Sequence, residues 1–196
     1  AGRRLCGSLV PINREHRPSV FGFQFFRGVD LGETIEDIIL DQDKRGMLAL
    51  RPYLPDDYCS QAAQFIIDNP GGVIIVTGFY VVMAGKPETD GPPGAIAIGE
   101  ALKDLGRTVT YVSDEYTTPV LRRYANGSEV IDFPIDGVVK SKGHAKAILE
   151  RVKPSLLISI ERCGRTHDDT YLNMRYVDIS PHTARLDYLF DSDVPS

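Results

Sequence analysis

The side chains best suited to chemistry crowd into one run, Glu161-Arg162-Cys163-Gly164-Arg165-Thr166-His167-Asp168-Asp169-Thr170-Tyr171-Leu172-Asn173-Met174-Arg175. Arg162, Arg165 and Arg175 can each grip a carboxylate through paired hydrogen bonds, which lysine does less well. Asn173 can hydrogen-bond a polarised carbonyl. Glu161 directly follows an apolar stretch, so low-dielectric surroundings are expected to raise its pKa and make it a usable acid-base group. A structural salt-bridge network would use the same residues. Cys163 beside His167 and Asp168 has the composition of a thiol nucleophile pair, but closeness in sequence is not geometry, and this cysteine heads no helix that would acidify it. Glu161, His167, Asp169 and His182 could in principle hold a metal, yet no HExxH or clustered spacing supports that set.

Two further stretches carry polar groups. Between Gly78 and Gly94 lie Lys86, Glu88, Thr89 and Asp90, which offer a cation, a candidate base and donors among glycines and prolines. This stretch matches neither GxGxxG nor the GxxxxGK[ST] phosphate loop, so a nucleotide cradle lacks its motif. A rigid turn with solvated charges is the alternative. Farther on, Asp114 and Glu115 precede Tyr116, Thr117 and Thr118. Asp114 can cap a following helix and Glu115 can match its dipole, or either can orient an amine or a metal.

The elements that must position these groups follow from periodicity. Val73-Ile74-Ile75-Val76-Thr77 is short, continuously apolar and β-branched, the pattern of a strand buried on both faces. Strands are also expected at Thr108–Val112, Glu129–Phe133 and Leu156–Ile160. Helices are expected at Gly94–Leu105, Glu115–Tyr124 and His144–Val152. Upstream, Leu31–Leu40 reads as a helix with Leu31, Ile35, Ile38 and Ile39 on one face. Asp56–Asp68 reads as another, with Ala62, Phe65 and Ile66 as its stripe. Strands alternating with helices predict a mostly parallel sheet covered on both sides, a three-layer α/β/α sandwich of Rossmann-like type. Such sheets bind ligands beyond the carboxyl ends of their strands, and all three polar stretches fall there. Residues 1–30, with Phe21, Phe23, Phe25 and Phe26, read as an arm or linker from an absent upstream domain. The tail from Asp187 has no strong helix or strand signature, so a cut at the C-terminal end of the domain is expected.

Composition bounds the rest. The chain has 196 residues, and Lys and Arg total 22 against 27 Asp and Glu, a net charge of -5. That balance disfavours a generic nucleic-acid binder. Cys6, Cys59 and Cys163 are odd in number and far apart, neither a disulfide framework nor a zinc site. The longest apolar stretch, Val73 to Ala84, is too short to span a bilayer.

Several separated segments together resemble the C-terminal domain of the D-glutamate cyclase family, its vertebrate members included. They are Thr77-Gly78-Phe79-Tyr80, Pro87-Glu88-Thr89-Asp90-Gly91-Pro92-Pro93-Gly94, Ser113-Asp114-Glu115-Tyr116, Glu161-Arg162 with Gly164-Arg165, and Tyr171-Leu172-Asn173-Met174-Arg175. The likeness runs in order across roughly residues 31 to 190 and includes Ile38 to Met47. It implies a mitochondrial matrix lyase that interconverts D-glutamate and 5-oxo-D-proline with loss of water. It also implies an upstream domain in the same full-length chain. Family members carry a Gly-Asp-Gly-Gly-Asn-Glu type segment beyond the point matching Leu189, and this chain lacks it.

Lactam closure needs a neutral α-amine near the γ-carboxyl carbon, a protonated leaving oxygen and donors for developing charge. Chemistry assigns the base to Glu88 or Asp90 and the proton donor to Glu161 or Asp114. Substrate contacts fall to Lys86, Thr89, Glu115, Arg162, Arg165, Asn173 and Arg175. No redox cofactor is required, while a divalent metal could polarise the carboxyl group through the same acids. Three competing expectations are an acidic-metabolite binding or regulatory domain, a metal-dependent hydrolase, and a homo-oligomerising structural module.

Overall fold

The computed structural model describes residues 34–41 and 43–196; the expected aromatic arm and the Leu31 start of the first helix lie outside them. The chain divides into two compact units, Ala1–Asp56 and Asp57–Ser196. In the first, α1 (Ile35–Leu40) starts at a capping box in which Thr34 and Asp37 each accept the other's backbone N–H. Its expected apolar face is reversed: Ile35, Ile38 and Ile39 are exposed and Glu36 is buried. A 3₁₀ helix, Met47–Tyr53, follows.

The second unit opens with α2 (Tyr58–Asp68). Of its expected stripe only Ile66 packs on the core; Ala62 and Phe65 are exposed. The sheet contains β1 (Val73–Gly78), β4 (Val109–Ser113), β5 (Glu129–Asp132) and β6 (Leu156–Arg162), all parallel, in the order β5-β4-β1-β6. A small hairpin, β2 (Tyr80–Val81) with β3 (Lys86–Pro87), stands after β1 where a plain loop was expected. The helices are α3 (Gly91–Asp104), α4 (Thr118–Tyr124), α5 (Val138–Val152) and the short α6 (Asp187–Phe190).

Period-2 alternation splits the sheet's side chains between two cores. Val73, Ile75, Val109, Tyr111 and Leu156 pack with Ala95 and Leu102 of α3 and Leu121 of α4. Ile74, Val76, Val112 and Leu157 pack with Ala145 and Ile148 of α5 and with Leu186, Tyr188 and Leu189. The result is a three-layer α/β/α sandwich of Rossmann-like type. Because the chain runs outward from β1 to β4 and β5 and then returns to β1's other side for β6, the topological switch point lies between β1 and β6.

Four helix starts move by two to six residues and the end of β6 by two, against single-residue shifts in β1, β4 and β5. α3 begins at Gly91, not Gly94, because Pro92 and Pro93 sit in a first turn whose N–H groups need no helical partner. α4 starts only at Thr118, after a turn over residues 115–117. α5 starts at Val138, not His144, and α2 at Tyr58, not Asp56. β6 continues through Arg162, so Glu161 and Arg162 belong to a strand and not to the loop after it. The tail does help close the domain: Tyr188 and Leu189 enter the core, and Leu157 N–H donates to Pro195 O at 2.8 Å along the edge of β6.

Candidate functional site

At the switch point the β1–β6 register slips. Thr77 pairs with Ile160 and Gly78 with Arg162, which leaves Glu161 unmatched as a β-bulge. Its φ of 45° is left-handed, a conformation that costs a non-glycine residue about 1 kcal/mol or more. The bulge resets which side each residue faces. Ile158 and Ile160 pack on the α3 side of the sheet, so strict alternation would send Glu161 to the α5 side. Instead its Cβ lies against Gly91 of α3, while Arg162 joins Val76 and Leu186 around a cavity of about 130 Å³ on the other side.

That redirection brings together three of the residues singled out by sequence. One carboxylate oxygen from each of Glu88, Asp90 and Glu161 lies within 4.8 Å of the other two. Glu88 follows β3, its own N–H tied to Phe79 O at 2.6 Å. Asp90 is the N-cap of α3 and accepts Gly91 N–H at 3.0 Å. Three carboxylates so close repel one another, and a bound cation, a substrate ammonium or a shared proton relieves that repulsion. Glu161 is solvent-exposed, so the apolar surroundings expected for it are absent. Thr77, fully buried with an unpartnered hydroxyl, closes the floor behind Gly91.

Asp114 is placed differently. It forms a buried ion pair with Arg162, Oδ2 to Nη1 at 2.7 Å. Arg162 also donates to Gly78 O (2.8 Å) and Ala184 O (2.7 Å). This guanidinium ties together the end of β1, the start of the α4 loop and the C-terminal tail. Arg165 is likewise engaged: it holds Asp191 through two bonds of 2.7 and 2.9 Å and lies over the Tyr188 ring, and Asp191 raises its already high pKa. Asn173 Oδ1 accepts the N–H groups of Arg175 and Val177 and so shapes its own turn. Arg175 is exposed and reaches Met83 Sδ at the hairpin tip. Lys86, Thr89 and Glu115 are exposed. His167 is almost fully exposed, and burial pushes the Cys163 thiol up, so no nucleophile pair forms there.

A cleft of about 970 Å³ opens beside the carboxylates, between β3, α3 and α4. Lys86, Glu88 and Thr89 line it, together with Tyr116 and Arg123, two residues that sequence reasoning did not assign. Tyr116 is held there by His182: its hydroxyl lies 3.0 Å from Nδ1, and Tyr80 of the hairpin stacks on the His182 ring at 4.3 Å. Burial, with Glu115 adding to it, raises the Tyr116 pKa above its ordinary value. The Tyr80–Tyr116–His182 cluster spans residues 80 to 182, so no local spacing could announce it.

The fold is that of a doubly wound α/β domain, with a cluster of three carboxylates at its switch point. The model of the D-glutamate cyclase-like C-terminal family matches residues 35–194, and the chain belongs to that family. A human protein named D-glutamate cyclase, mitochondrial, is 28% identical over a match covering 65% of this chain and 23% of that protein. This chain therefore corresponds to a minor part of that relative's length. Among solved structures, MurG of Acinetobacter baumannii overlaps 46% of this chain and 28% of its own, at 13% identity and a TM-score of 0.37.

Proposed function

We propose that this domain is a hydro-lyase that interconverts D-glutamate and 5-oxo-D-proline plus water, with the chemistry at Glu88, Asp90 and Glu161. Family membership and the name of the human relative support the activity. The convergence of three carboxylates at the switch point is the observation that supports the site. An α-ammonium is the part of D-glutamate that such a cluster attracts. Glu88 or Asp90 takes one proton from it, and the freed amine attacks the γ-carboxyl carbon. The new C–N bond forms as the C–O bond breaks. The nitrogen passes its second proton to the departing oxygen, which takes another from Glu161 and leaves as water. The proton held on Glu88 or Asp90 then returns to Glu161. Asp114, the other candidate donor, is buried on Arg162, so the exposed Glu161 takes this role. Lys86, Thr89 and Arg175 are the exposed candidates for gripping the α-carboxylate, whereas Arg162 and Arg165 hold the frame.

The same three carboxylates favour a second reading, in which they hold a divalent cation that polarises the γ-carboxyl group or serves a hydrolase. Mitochondrial location, in the matrix, and an upstream domain are carried over as part of the proposal from the named relative and the family. Among the described residues no helix is long and apolar enough to cross a membrane.

The test is turnover of D-glutamate and of 5-oxo-D-proline by this chain, with and without a chelator. Glu161→Gln is expected to cut turnover at least 100-fold with little change in melting, because the side chain is exposed. Wild-type rates in that variant would remove Glu161 from the chemistry. Binding without turnover would favour a regulatory domain, and loss of activity on chelation would favour the metal.

A further inference from the structure

The cleft beside the carboxylates is larger than the substrate proposed above requires. Its volume of about 970 Å³ sits at the upper end of the roughly 300–1,000 Å³ typical of sites for drug-sized ligands. A five-carbon amino acid leaves most of that space unfilled. The walls are also unlike a glutamate site. Pro87, Pro92, Pro93 and Pro119 line it together with Tyr116 and Tyr124. Prolines and a tyrosine fixed by hydrogen bonding are rigid, so little conformational freedom is lost when something packs against them. Flat rigid walls match a planar ring better than a flexible chain, which would surrender rotamer entropy without gaining contacts.

Charge on the rim is distinctive too. Lys86 and Arg123 line the cleft, both exposed, and among the described residues neither has a carboxylate partner. Arg122, one residue earlier, is paired with Asp132, and Arg162 and Arg165 are paired as well. These two cations lie on the rim of one apolar cleft, where an anionic ligand can reach both. Glu88 is the acid in the lining and enters from the end of β3, whereas Arg123 enters from the last turn of α4. An anionic group therefore belongs at the Arg123 end, where a planar guanidinium can take it through two hydrogen bonds.

We infer that the part of this cleft between the prolines and tyrosines is a second ligand subsite, adjoining the carboxylate site and sharing Lys86, Glu88 and Thr89 with it, and that its ligand is a planar aromatic anion with its anionic group on Arg123. The inference does not depend on the lactam chemistry, and its test reads binding and not turnover, so the two can fail separately.

The probes are 8-anilinonaphthalene-1-sulfonate and its uncharged counterpart N-phenyl-1-naphthylamine, titrated by fluorescence against this chain. The sulfonate is expected to bind saturably and more tightly than the neutral probe. Arg123→Glu should weaken the sulfonate about tenfold or more, as loss of one favourable charge contact predicts, while leaving the neutral probe unchanged. Ala97→Trp, at an exposed position in the lining, should fill the cleft and abolish both. If that variant melts early, Val120→Trp fills the cleft from α4. Absence of saturable binding, equal affinity for the two probes, or sulfonate affinity untouched by Arg123→Glu and by the filling variant would each overturn the inference.

Discussion

The Cβ of Glu161 lies 2.7 Å from where a side chain on Gly91 would begin. Glu161 is the bulged residue of β6 and Gly91 the first residue of α3, so the helix can approach the bulge only because it starts with glycine. Thr77 Oγ1, also 2.7 Å from that position, crowds it from the floor. Backbone of Glu161 and of Thr77 belongs to the sheet and cannot easily yield.

Gly91→Ala should therefore push Glu161 away from Glu88 and Asp90. The expected cost is about 1–3 kcal/mol of stability from overpacking, with a loss of turnover larger than the stability loss explains. Gly94→Ala, three residues on and with only an ordinary contact to Ile160, is the control. Equal turnover in the two variants would show that the spacing at Gly91 does not matter to the site.

Arg162 and Asp114 give the opposite kind of prediction. Their side chains are 5% and 4% exposed, and removing one member of a buried pair leaves the other charged and unsatisfied, typically at about 3–5 kcal/mol. Arg162→Met should lower urea stability by that order, and Asp114→Asn should do nearly the same. The double variant should be much less destabilised than the sum of the two. Additive losses in the cycle would mean the pair is not coupled.

How much of this was legible in the sequence depends on the range of the forces involved. Val73–Val76 announces a doubly buried strand by composition alone, and the alternation of strands with helices led to the parallel sandwich. Glu88 and Asp90 could be picked out as polar groups after a strand. The bulge could not be seen, because Ile160-Glu161-Arg162 carries no glycine; it is fixed by pairing with Gly78, whose φ of 113° ends β1. Arg162 looked like a substrate clamp because its partner is 48 residues away in the chain. The hairpin was hidden because its strands are two residues long and its turn, Val82 to Gly85, lacks an Asn-Gly signal. Tyr188 and Leu189 enter the core from a helix too short to show periodicity, and Leu186 from its N-cap.

Alkaline stability offers a cleaner test of the core beneath α3. The Tyr111 hydroxyl is buried without a hydrogen-bond partner, packed on Gly99, and burial with the nearby Glu100 charge pushes its pKa from 10.0 to about 12. Below pH 10 both folded and unfolded chains keep this proton. Between pH 10 and about 12 only the unfolded chain loses it, so stability falls as pH rises through that window. Tyr171, raised by burial and by its hydrogen bond to Asp187, acts in the same direction. Tyr111→Phe removes one of several contributions, with the raised Tyr116 and Cys163 among the others, and no hydrogen bond. It should match or exceed wild-type stability at pH 7 and decline less steeply above pH 10, by urea denaturation. An unchanged alkaline slope would exclude Tyr111 as a contributor.

The Tyr80–Tyr116–His182 cluster fixes the hairpin that carries Glu88. Tyr80 comes from β2, Tyr116 from the turn before α4, and His182 from a 3₁₀ turn over Ser180–His182. Tyr116→Phe keeps both ring contacts and loses only the 3.0 Å hydrogen bond, so about 1 kcal/mol or less of stability should go. His182→Ala removes the bond and the stack together and leaves Tyr80 with only its contact to the Tyr116 ring. Hydrogen exchange should then speed up at Phe79–Glu88, where Glu88 N–H is bonded to Phe79 O. Turnover of D-glutamate should fall more in His182→Ala than in Tyr116→Phe, because a mobile hairpin displaces one of the three carboxylates. His182→Phe, which can restore a stacked ring without the nitrogen, should recover much of that protection. If His182→Ala leaves exchange in the hairpin as slow as in the parent chain, the stack on Tyr80 is not what holds Glu88 in place.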